Sequence, residues 1–490
     1  MITKWTSHKS YLSFLKTGIN RLKKKRKNRK RLELFKDSIR KLSSLDLDPL
    51  FAALQPYYST QSRPAMHQSE IFRSFILMID QEETSLTKWR AKVDSDNILA
   101  LLIGCKPGHT PPLGSYYDFI DRLWLRHKSI DRENRKRLYT FNRKPVGKLA
   151  KNKKLPNKNP AVVDKVARFL LKGRSFDKRP ERLIQEVFSL IAVVPSIELG
   201  LIDTKNLTVS GDGTCVRCHS SSRGIKVCDC RKYGIYDCKC KRRFADPDAC
   251  WGWDSYLGQY FYGHTLYAFS YHNPKLKIDL PLAMRFVGAN RHDSVSGLVS
   301  LAELRQLTPQ LPIRNVCFDS ANDNYPTYGL LKQWDIVPFI DLNHDVGRKP
   351  TFPVFPVNDN GVPVCAAGHE MVYDGFCKNR SRMKWRCPLK CGKADSCDNL
   401  SSCSTSPYGR VVYTKPDWDL RLFTPVPRNS KEFRVIYKNR TSSERINNRI
   451  LNDYNLQNLK IRGKKRFSFF AMICGINIHL DAKVKLKLSV

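Results

Sequence analysis

The sequence predicts a mixed α/β protein with a helical N-terminal region and a cysteine-rich insertion. Between residues 207 and 343, three strand-like apolar runs precede a helix, a strand, a second helix and a further strand. This order predicts a mixed sheet covered by helices. Residues 68–104 and 161–203 carry apolar side chains at helical spacing, whereas residues 344–430 are rich in Pro, Gly and Cys. Helical spacing returns from residue 431.

Net charge is the strongest compositional signal. The chain holds 86 Lys and Arg against 45 Asp and Glu, which gives a net charge of +41. Such a charge favours nucleic acid as the partner, because contacts with phosphates release counterions. A ribosomal or membrane-surface role is the alternative. We expect no membrane partner, because no apolar run reaches the ~20 residues that cross a bilayer, and we expect a cytoplasmic or nucleoid-associated location.

The chain of 490 residues is too long for one hydrophobic core, so several units are expected. The first would be a basic, helical DNA-binding region that holds a basic run at 20–40 and a linker at 142–160. A helical connector, the first part of the α/β core, the insertion and the C-terminal helices of the core would follow. The predicted bounds are 1–160, 161–206, 207–343 (with a cysteine-rich loop at 215–250), 344–430 and 431–490.

Three acidic residues occupy positions where such a sheet would gather a ligand. Asp212, in "SGDGT", ends the first predicted strand, Asp319 ends the fourth, and Glu444 lies in a helical segment after the insertion. Ligands collect at strand ends of α/β sheets, and three converging carboxylates suit Mg²⁺ or Mn²⁺. Taken singly, Asp212 could shape a turn, Glu444 could be a solvated helix residue, and Asp323 or Asp341 could replace Asp319.

The motifs around these acids resemble those of the DDE transposases of prokaryotic insertion sequences. "SGDGT" resembles the first motif and "CFDSANDNYP" the second. "YKNRTSSERINNRIL" resembles the Tyr-x2-Arg-x3-Glu-x6-Lys signature, with Tyr437, Arg440 and Glu444 in place but Leu451 at the Lys position. Arg449, two residues earlier, is the candidate substitute. "HQSEIFRSFILMI" and "PPLGSYYDFIDRLW" are similar to the family's helical N-terminal domain, so the resemblance covers most of residues 60–490.

The resemblance implies an RNase H-like catalytic core and a transposase that binds the terminal inverted repeats of its element. Asp212, Asp319 and Glu444 would hold two Mg²⁺ ions for DNA cleavage and strand transfer. Tyr437, Arg440 and Arg449 would contact double-stranded DNA, on which a homodimer or larger complex is expected. Two alternatives stay open: a non-catalytic, zinc-containing DNA-binding protein derived from a transposase, and another RNase H-like nuclease.

Cysteine spacing predicts structural zinc. "CDCRKYGIYDCKC" places two C-x-C pairs beside a predicted hairpin, where alternation along a strand would direct four thiolates to one face. The candidate ligands in the first cluster are Cys215, Cys218, Cys228, Cys230, Cys238 and Cys240. In the second cluster they are Cys365, Cys377, Cys387, Cys391, Cys397 and Cys403, with His369 nearby.

Two further features have an ordinary and a functional interpretation. Trp251 and Trp253, outside the predicted strands, are candidates for stacking on DNA bases, although strand packing is the commoner role of such residues. His292 could assist near the metals, but the helix predicted at 292–307 favours a capping role, with Asp293 or Ser294 as the N-cap.

Overall fold

The computed structural model describes residues 2, 4–59, 61, 64–126, 136–138, 159–343, 355–399 and 403–488. The linker predicted at 142–160 therefore lies outside the described residues, except for positions 159 and 160, which begin a helix.

The N-terminal region is helical, as predicted. Phe75, in the fifth helix, lies with its ring centroid 4.7 Å from that of Phe469 near the C-terminus, so the two ends of the chain share one hydrophobic core. The residues of the basic run at 20–40 belong to the first three helices, and most of its Lys and Arg side chains are exposed. The helices are α1 (His8–Lys23), α2 (Arg26–Leu34), α3 (Lys36–Ser43), α4 (Asp48–Leu54), α5 (Gln68–Asp80), α6 (Leu86–Ser95), α7 (Asn97–Ile103) and α8 (Leu113–Arg122).

A mixed sheet forms the centre of the protein, as the sequence predicts. Its strands are β2 (Leu207–Arg217), β5 (Cys250–Asp254), β6 (Gln259–Asn273), β7 (Ile278–Gly288), β8 (Ile313–Phe318) and β9 (Val337–Ile340). They lie in the order β5-β6-β2-β8-β9, and β7 also pairs with β6. Pairs among β2, β5, β6 and β7 are antiparallel, whereas β8 runs parallel to both β2 and β9.

Helices cover this sheet. A satellite core joins Val163, Leu298 and Leu330, which come from three different helices. The helices from residue 159 onward are α9 (Asn159–Leu171), α10 (Arg182–Phe188), α11 (Val194–Glu198), α12 (Asp293–Leu307), α13 (Tyr325–Gln333), α14 (Lys431–Tyr437), α15 (Thr441–Asn448) and α16 (Lys464–Leu488).

Two small sheets stand apart from the central one. β1 (Lys136–Leu138), β3 (Ile225–Lys226) and β4 (Lys241–Arg243) form the first, in the order β1-β4-β3. β10 (Val372–Cys377), β11 (Arg382–Arg386) and β12 (Val411–Thr414) form the second, within the predicted insertion.

Three local predictions are wrong. The first core strand does not end at Asp212 but continues to Arg217, because its pairing with β6 extends to Gly263. Trp251 and Trp253 lie inside β5, where Trp253 pairs with Tyr260. The N-cap of α12 is neither Asp293 nor Ser294 but His292, whose side chain accepts a hydrogen bond from the Ser294 N–H, so the capping role predicted for His292 is confirmed.

The last helix, α16, also departs from the sequence-based expectation. By length and composition its Lys464–Lys487 stretch could cross a membrane, so the statement that no apolar run is long enough is wrong. In the structure, however, 94% of its most apolar window is buried inside the protein. The helix packs on β7 and α5 and is a core element.

Candidate active site and cysteine cluster

Asp212 lies in the middle of the central strand of the sheet. Side chains of successive strand residues point to opposite faces, so Asp212 shares a face with Ser210. The Ser210 hydroxyl donates to the carbonyl of Asn439, 2.8 Å away, just before α15. Asp212 therefore points towards the face that is covered by the segment carrying Arg440 and Glu444.

Asp319 immediately follows the neighbouring parallel strand. Ser210 pairs with Cys317 in the register of β2 and β8, so two residues further along each strand Asp212 and Asp319 reach the same level of the sheet. The side-chain amide of the buried Asn322 donates to Asp319 Oδ1 at 3.0 Å. The strand-end placement predicted for Asp319 is confirmed.

Glu444 lies in the first turn of α15, so the helical setting predicted for it is confirmed. This helix is fixed on the sheet by a buried 2.7 Å hydrogen bond between the hydroxyls of Ser442 and Ser270 in β6. Arg440, one turn earlier, donates to Glu444 Oε1 at 2.5 Å. The Glu444 side chain remains 47% exposed, so it can turn towards a ligand from solvent.

A fourth acid, Asp293, joins the three predicted ones. A Cβ atom at Gly213 would lie 2.5 Å from Asp293 Oδ1, so the glycine next to Asp212 makes room for this carboxylate. Asp293 stands in the first turn of α12, where the sequence suggested only a capping role. Its proximity depends on how α12 crosses the sheet, so the "HDS" motif alone could not have revealed it. We call Asp212, Asp293, Asp319 and Glu444 the carboxylate site.

Electrostatics in the carboxylate site favour a cation. Burial, then Asp319 and Asp293, raises the pKa of Asp212 to about 7, and Arg440 opposes the rise. Burial and Asp319 likewise raise the pKa of Asp293 to about 7. Both shifts come first from removal of the carboxyl groups from water and second from the neighbouring carboxylates, and each disfavours the charged form. These acids do not, however, form a group in which three ligand oxygens lie within 4.8 Å of one another, so Mg²⁺ or Mn²⁺ at this site stays a prediction.

The two competitors of Asp319 have other partners. Asp323 is fully buried and accepts from Arg421 Nε at 2.6 Å and from the Tyr328 hydroxyl at 2.8 Å. Asp341 is hydrogen-bonded to Tyr437, and burial together with that carboxylate raises the pKa of the Tyr437 hydroxyl above its usual range. Both acids therefore have structural partners outside the carboxylate site.

The residues predicted to contact DNA are unequally placed. Arg440 and Tyr437 adjoin the carboxylate site: Arg440 interacts with Asp212, and Tyr437 with Asp319. Arg449 instead donates to Asp481 Oδ2 of α16 at 2.7 Å, and Leu451 is buried. The structure thus offers no support for Arg449 as the substitute for the family's Lys, and a DNA contact there stays a prediction.

Four of the predicted zinc ligands come together. The sulfur atoms of Cys228 and Cys238 are 3.5 Å apart, as are those of Cys230 and Cys240. All four lie within 4.8 Å of one another, and tetrahedral Zn²⁺ with Zn–S bonds of about 2.3 Å separates its sulfurs by about 3.8 Å. This group could hold a structural metal ion such as Zn²⁺.

The predicted reason for this grouping is wrong. Residues 228–240, which we call the cysteine loop, contain no strand; Cys230–Tyr233 is a 3₁₀ turn that ends at Gly234 in a left-handed conformation with φ of 72°. The turn folds the two C-x-C pairs back on each other. Sequence spacing was informative here because only 12 positions separate the first cysteine from the last.

Cys215 and Cys218 do not belong to this group. Cys215 lies within β2, and the Cys218 thiol donates to the buried Asp246 at 3.3 Å. The same carboxylate accepts from His264 Nε2 at 3.0 Å and from the Gly463 N–H at 2.9 Å. Asp246 therefore ties the end of the predicted cysteine-rich loop to β6 and to the start of α16.

The second predicted set of zinc ligands divides. One cavity is lined by Cys365, His369, Cys387, Cys397 and Cys403, whereas Cys377 is exposed on β10. Cys391 does not line this cavity either. Three other cysteines, Cys105, Cys317 and Cys474, are buried, where a thiol packs as a small apolar group.

The aromatic hairpin formed by β5 and β6 is exposed. The side chains of Trp251 and Trp253 are 52% and 54% exposed, and the Trp253 ring makes an edge contact with Tyr260. Cross-strand packing on the ribbon accounts for these contacts. Base stacking by the two tryptophans stays a prediction.

In comparisons with known proteins, no family model matched this chain and no curated protein matched it either.

Proposed function

We propose that this protein is a DDE-type transposase that binds the terminal inverted repeats of its insertion sequence and catalyses DNA cleavage and strand transfer. The observation that carries the proposal is the meeting of Asp212 and Asp319 on adjacent parallel strands, beneath the helix that presents Glu444. These are the three acids of the motifs that resemble the transposase family. The proposal that the core is RNase H-like rests on the same motifs and on the mixed sheet that carries them.

The charges in the site support metal-dependent phosphodiester chemistry. Asp212 and Asp293, each with a pKa raised to about 7, can exchange a proton for a metal ion at neutral pH. Bound divalent ions supply Lewis-acid activation of the nucleophile and of the leaving oxygen. Asp212, Asp319 and Glu444 would hold the ions, and Asp293 would add a fourth carboxylate.

Arg440 is placed to act on DNA as well as on Glu444. Its guanidinium bonds Glu444 in this structure, and it also interacts with Asp212. A guanidinium near two carboxylates offsets part of their mutual repulsion. When the carboxylates bind cations, Arg440 becomes free to hold a phosphate oxygen pair in a bidentate manner.

A mapping of strand breaks tests the proposal. The full-length protein is incubated in Mg²⁺ with a plasmid that carries the DNA flanking its own gene, alongside Asp212→Ala and the control Asp203→Ala, which removes an exposed acid just before β2. We expect breaks at the element's ends from the wild type and the control, and a loss of roughly 10²–10³-fold or more in Asp212→Ala. DNA binding should be retained by all three proteins.

The same experiment separates the alternatives. Binding without cleavage by the wild type would favour the non-catalytic DNA-binding protein, which the buried Leu451 at the family's Lys position keeps open. Metal-dependent cleavage of junctions or hybrids without preference for the element's ends would favour another nuclease. Either result would overturn the transposase proposal.

A further inference from the structure

The insertion between β9 and α14 contains a second concentration of metal-binding side chains. Residues 355–399 and 403–423, which we call the insertion module, surround a cavity of about 10 Å³. Its walls include Cys365, Cys387, Cys397 and Cys403, together with the imidazole-bearing His369. These cysteines come from three separate stretches of the module, so their convergence is a property of the fold.

Two tight turns present the first cysteines of this set. The N–H of Gly368 donates to the Cys365 carbonyl at 2.9 Å, and the N–H of Cys365 donates to the carbonyl of His369. After Cys387, the N–H of Cys391 donates back to its carbonyl at 3.1 Å. Both turns hold a cysteine at the beginning of a compact loop, with its side chain at the cavity.

The module has little hydrophobic core of its own. Among the described residues, its buried apolar cluster consists of Val362, Met371, Met383, Trp385, Val412, Leu422 and Phe423. A cluster of this size is marginal for some 70 residues, and small units of this kind commonly gain stability from a bound metal. The wall of the cavity carries four cysteines and His369, and its charged side chain is that of Arg410. Unlike the thiols of the cysteine loop, no three of these ligand atoms lie within 4.8 Å of one another, so a bound ion would have to draw them together.

We propose that Cys365, Cys387, Cys397 and Cys403 bind a second structural zinc ion, distinct from the one that the cysteine loop can hold. Four thiolates complete a tetrahedral site without an open position, which is the arrangement of structural rather than catalytic zinc. Cys377 is not a ligand, because it is exposed at the end of β10, outside the cavity. The proposal does not depend on transposase activity.

The insertion module contacts the loop beside the carboxylate site, so the second zinc would affect that site as well. Arg421 of the module donates through Nε to the buried Asp323 at 2.6 Å and through Nη2 to the Asn343 carbonyl at 2.6 Å. Asp419 accepts from the Tyr325 hydroxyl at 2.8 Å. The module thereby braces the loop that follows Asp319, so a zinc ion that orders the module also steadies one side of the carboxylate site.

Zinc content of the purified full-length protein tests the proposal directly. We expect two zinc ions per chain in the wild type, one in Cys387→Ser, one in Cys228→Ser and none in a variant that carries both changes. Cys377→Ser, which removes an exposed thiol of the same module, should keep two. A wild-type protein with a single zinc that is lost in Cys228→Ser alone would overturn the proposal, as would two zinc ions in Cys387→Ser.

A second measurement guards against misfolding of the serine variants. Co²⁺ is added to the metal-stripped Cys228→Ser/Cys230→Ser protein, whose cysteine loop can no longer supply four thiolates. The proposal predicts the intense visible absorption and the sulfur-to-metal charge-transfer band of tetrahedral thiolate-bound Co²⁺ from the second site, displaced by one equivalent of Zn²⁺. Absence of these bands would overturn it.

Discussion

The carboxylate site and the cysteine loop both gather four potential metal ligands, but they do so by different means. In the carboxylate site, Asp212 is separated from Asp319 by 107 residues and Asp319 from Glu444 by 125, whereas the four thiols of the cysteine loop span positions 228 to 240. The acids are fixed by strand register and by helices buried against the sheet. The thiols are fixed by one exposed turn.

The two sites also differ in how their ligand groups are arranged when no metal is bound. Carboxylates near one another repel, and burial together with this repulsion raises the pKa of both Asp212 and Asp293 to about 7. Thiols can stay protonated and share hydrogen bonds, as the paired contacts in the cysteine loop do. In this structure the four thiols already lie within 4.8 Å of one another. Glu444, in contrast, is bonded to Arg440 and would have to turn to join the buried acids.

The largest expected effect is the pH dependence of metal binding at the carboxylate site. Because Asp212 and Asp293 have pKa values of about 7, a divalent ion must displace their protons at lower pH. Mg²⁺ or Mn²⁺ affinity should rise between pH 5 and 7 by about tenfold per pH unit for each proton displaced. Calorimetric titration in buffers of different ionisation enthalpy measures both affinity and proton release.

The same raised pKa values affect the stability of the metal-free protein in the opposite direction. Asp212 and Asp293 contribute to the free energy of unfolding in full below the usual carboxyl pKa of about 4. This contribution is lost as pH rises through about 7. An affinity for Mg²⁺ that does not change from pH 5 to 7 would show that these two acids do not bind the ion.

The next largest effect tests whether Asp293 binds the divalent metal or is only an acid at a helix terminus. Asp293→Asn should weaken divalent-metal affinity at pH 7 by roughly 10–100-fold, because it removes one charge from the carboxylate site while keeping the shape of the side chain. Zinc content should not change, since the cysteine loop is elsewhere. Asp203→Asn, which alters an exposed acid, provides the control; equal affinities in the two variants would limit Asp293 to a structural role.

A smaller effect is expected from closing the space beside Asp212. Gly213→Ala places a Cβ against the Asp293 carboxylate, at 2.5 Å before any relaxation. Overpacking of this kind costs about 1–3 kcal/mol in the free energy of unfolding, measurable by chemical denaturation. At Gly114, in α8, a Cβ would meet nothing within 4 Å, so Gly114→Ala should leave stability unchanged or raise it. A Gly213→Ala protein as stable as the wild type would mean that Asp293 moves away at no cost.

The smallest global effect is expected in the cysteine loop. Cys228→Ser should remove one zinc ion and make the loop more accessible to proteases, while the free energy of global unfolding changes less than in Gly213→Ala, because the loop buries little apolar surface. Limited proteolysis and denaturation of the same samples compare the two readouts. Cys377→Ser is the matched control, and an equally large loss of global stability in Cys228→Ser would remove the contrast between the two sites.

Local sequence patterns predicted most of the strands and helices of the core. The predictions that failed depended on which residues distant in sequence the fold brings together. Alternating and helix-spaced apolar residues located β2, β6, β7, β8 and the helices between them, because these patterns reflect which faces become buried. Asp319 could be placed at a strand end for the same reason. Asp293 could not be assigned to the site, since its carboxylate reaches Asp212 only through the crossing of α12 over the sheet.

The cysteines also show what local spacing can predict and what depends on the fold. The grouping of Cys228, Cys230, Cys238 and Cys240 followed from spacing even though the predicted hairpin strands are absent from the described loop. Cys218 was also a candidate zinc ligand by its spacing from Cys215, but the fold directs its thiol to Asp246. In the insertion, spacing could not distinguish the exposed Cys377 from the cysteines that line the cavity.

The sequence by itself determined the classes of chemistry available to this protein: a strongly basic chain, three acids in motifs of recognisable spacing, and cysteines dense enough for zinc. These depend on residue type and on neighbours within a few positions. Only the tertiary structure decided that Asp293 joins the acids, that Asp323 and Arg449 have other partners, and which cysteines share a cavity. Such choices depend on strand register and helix crossing, which are fixed by contacts between residues 80 or more positions apart.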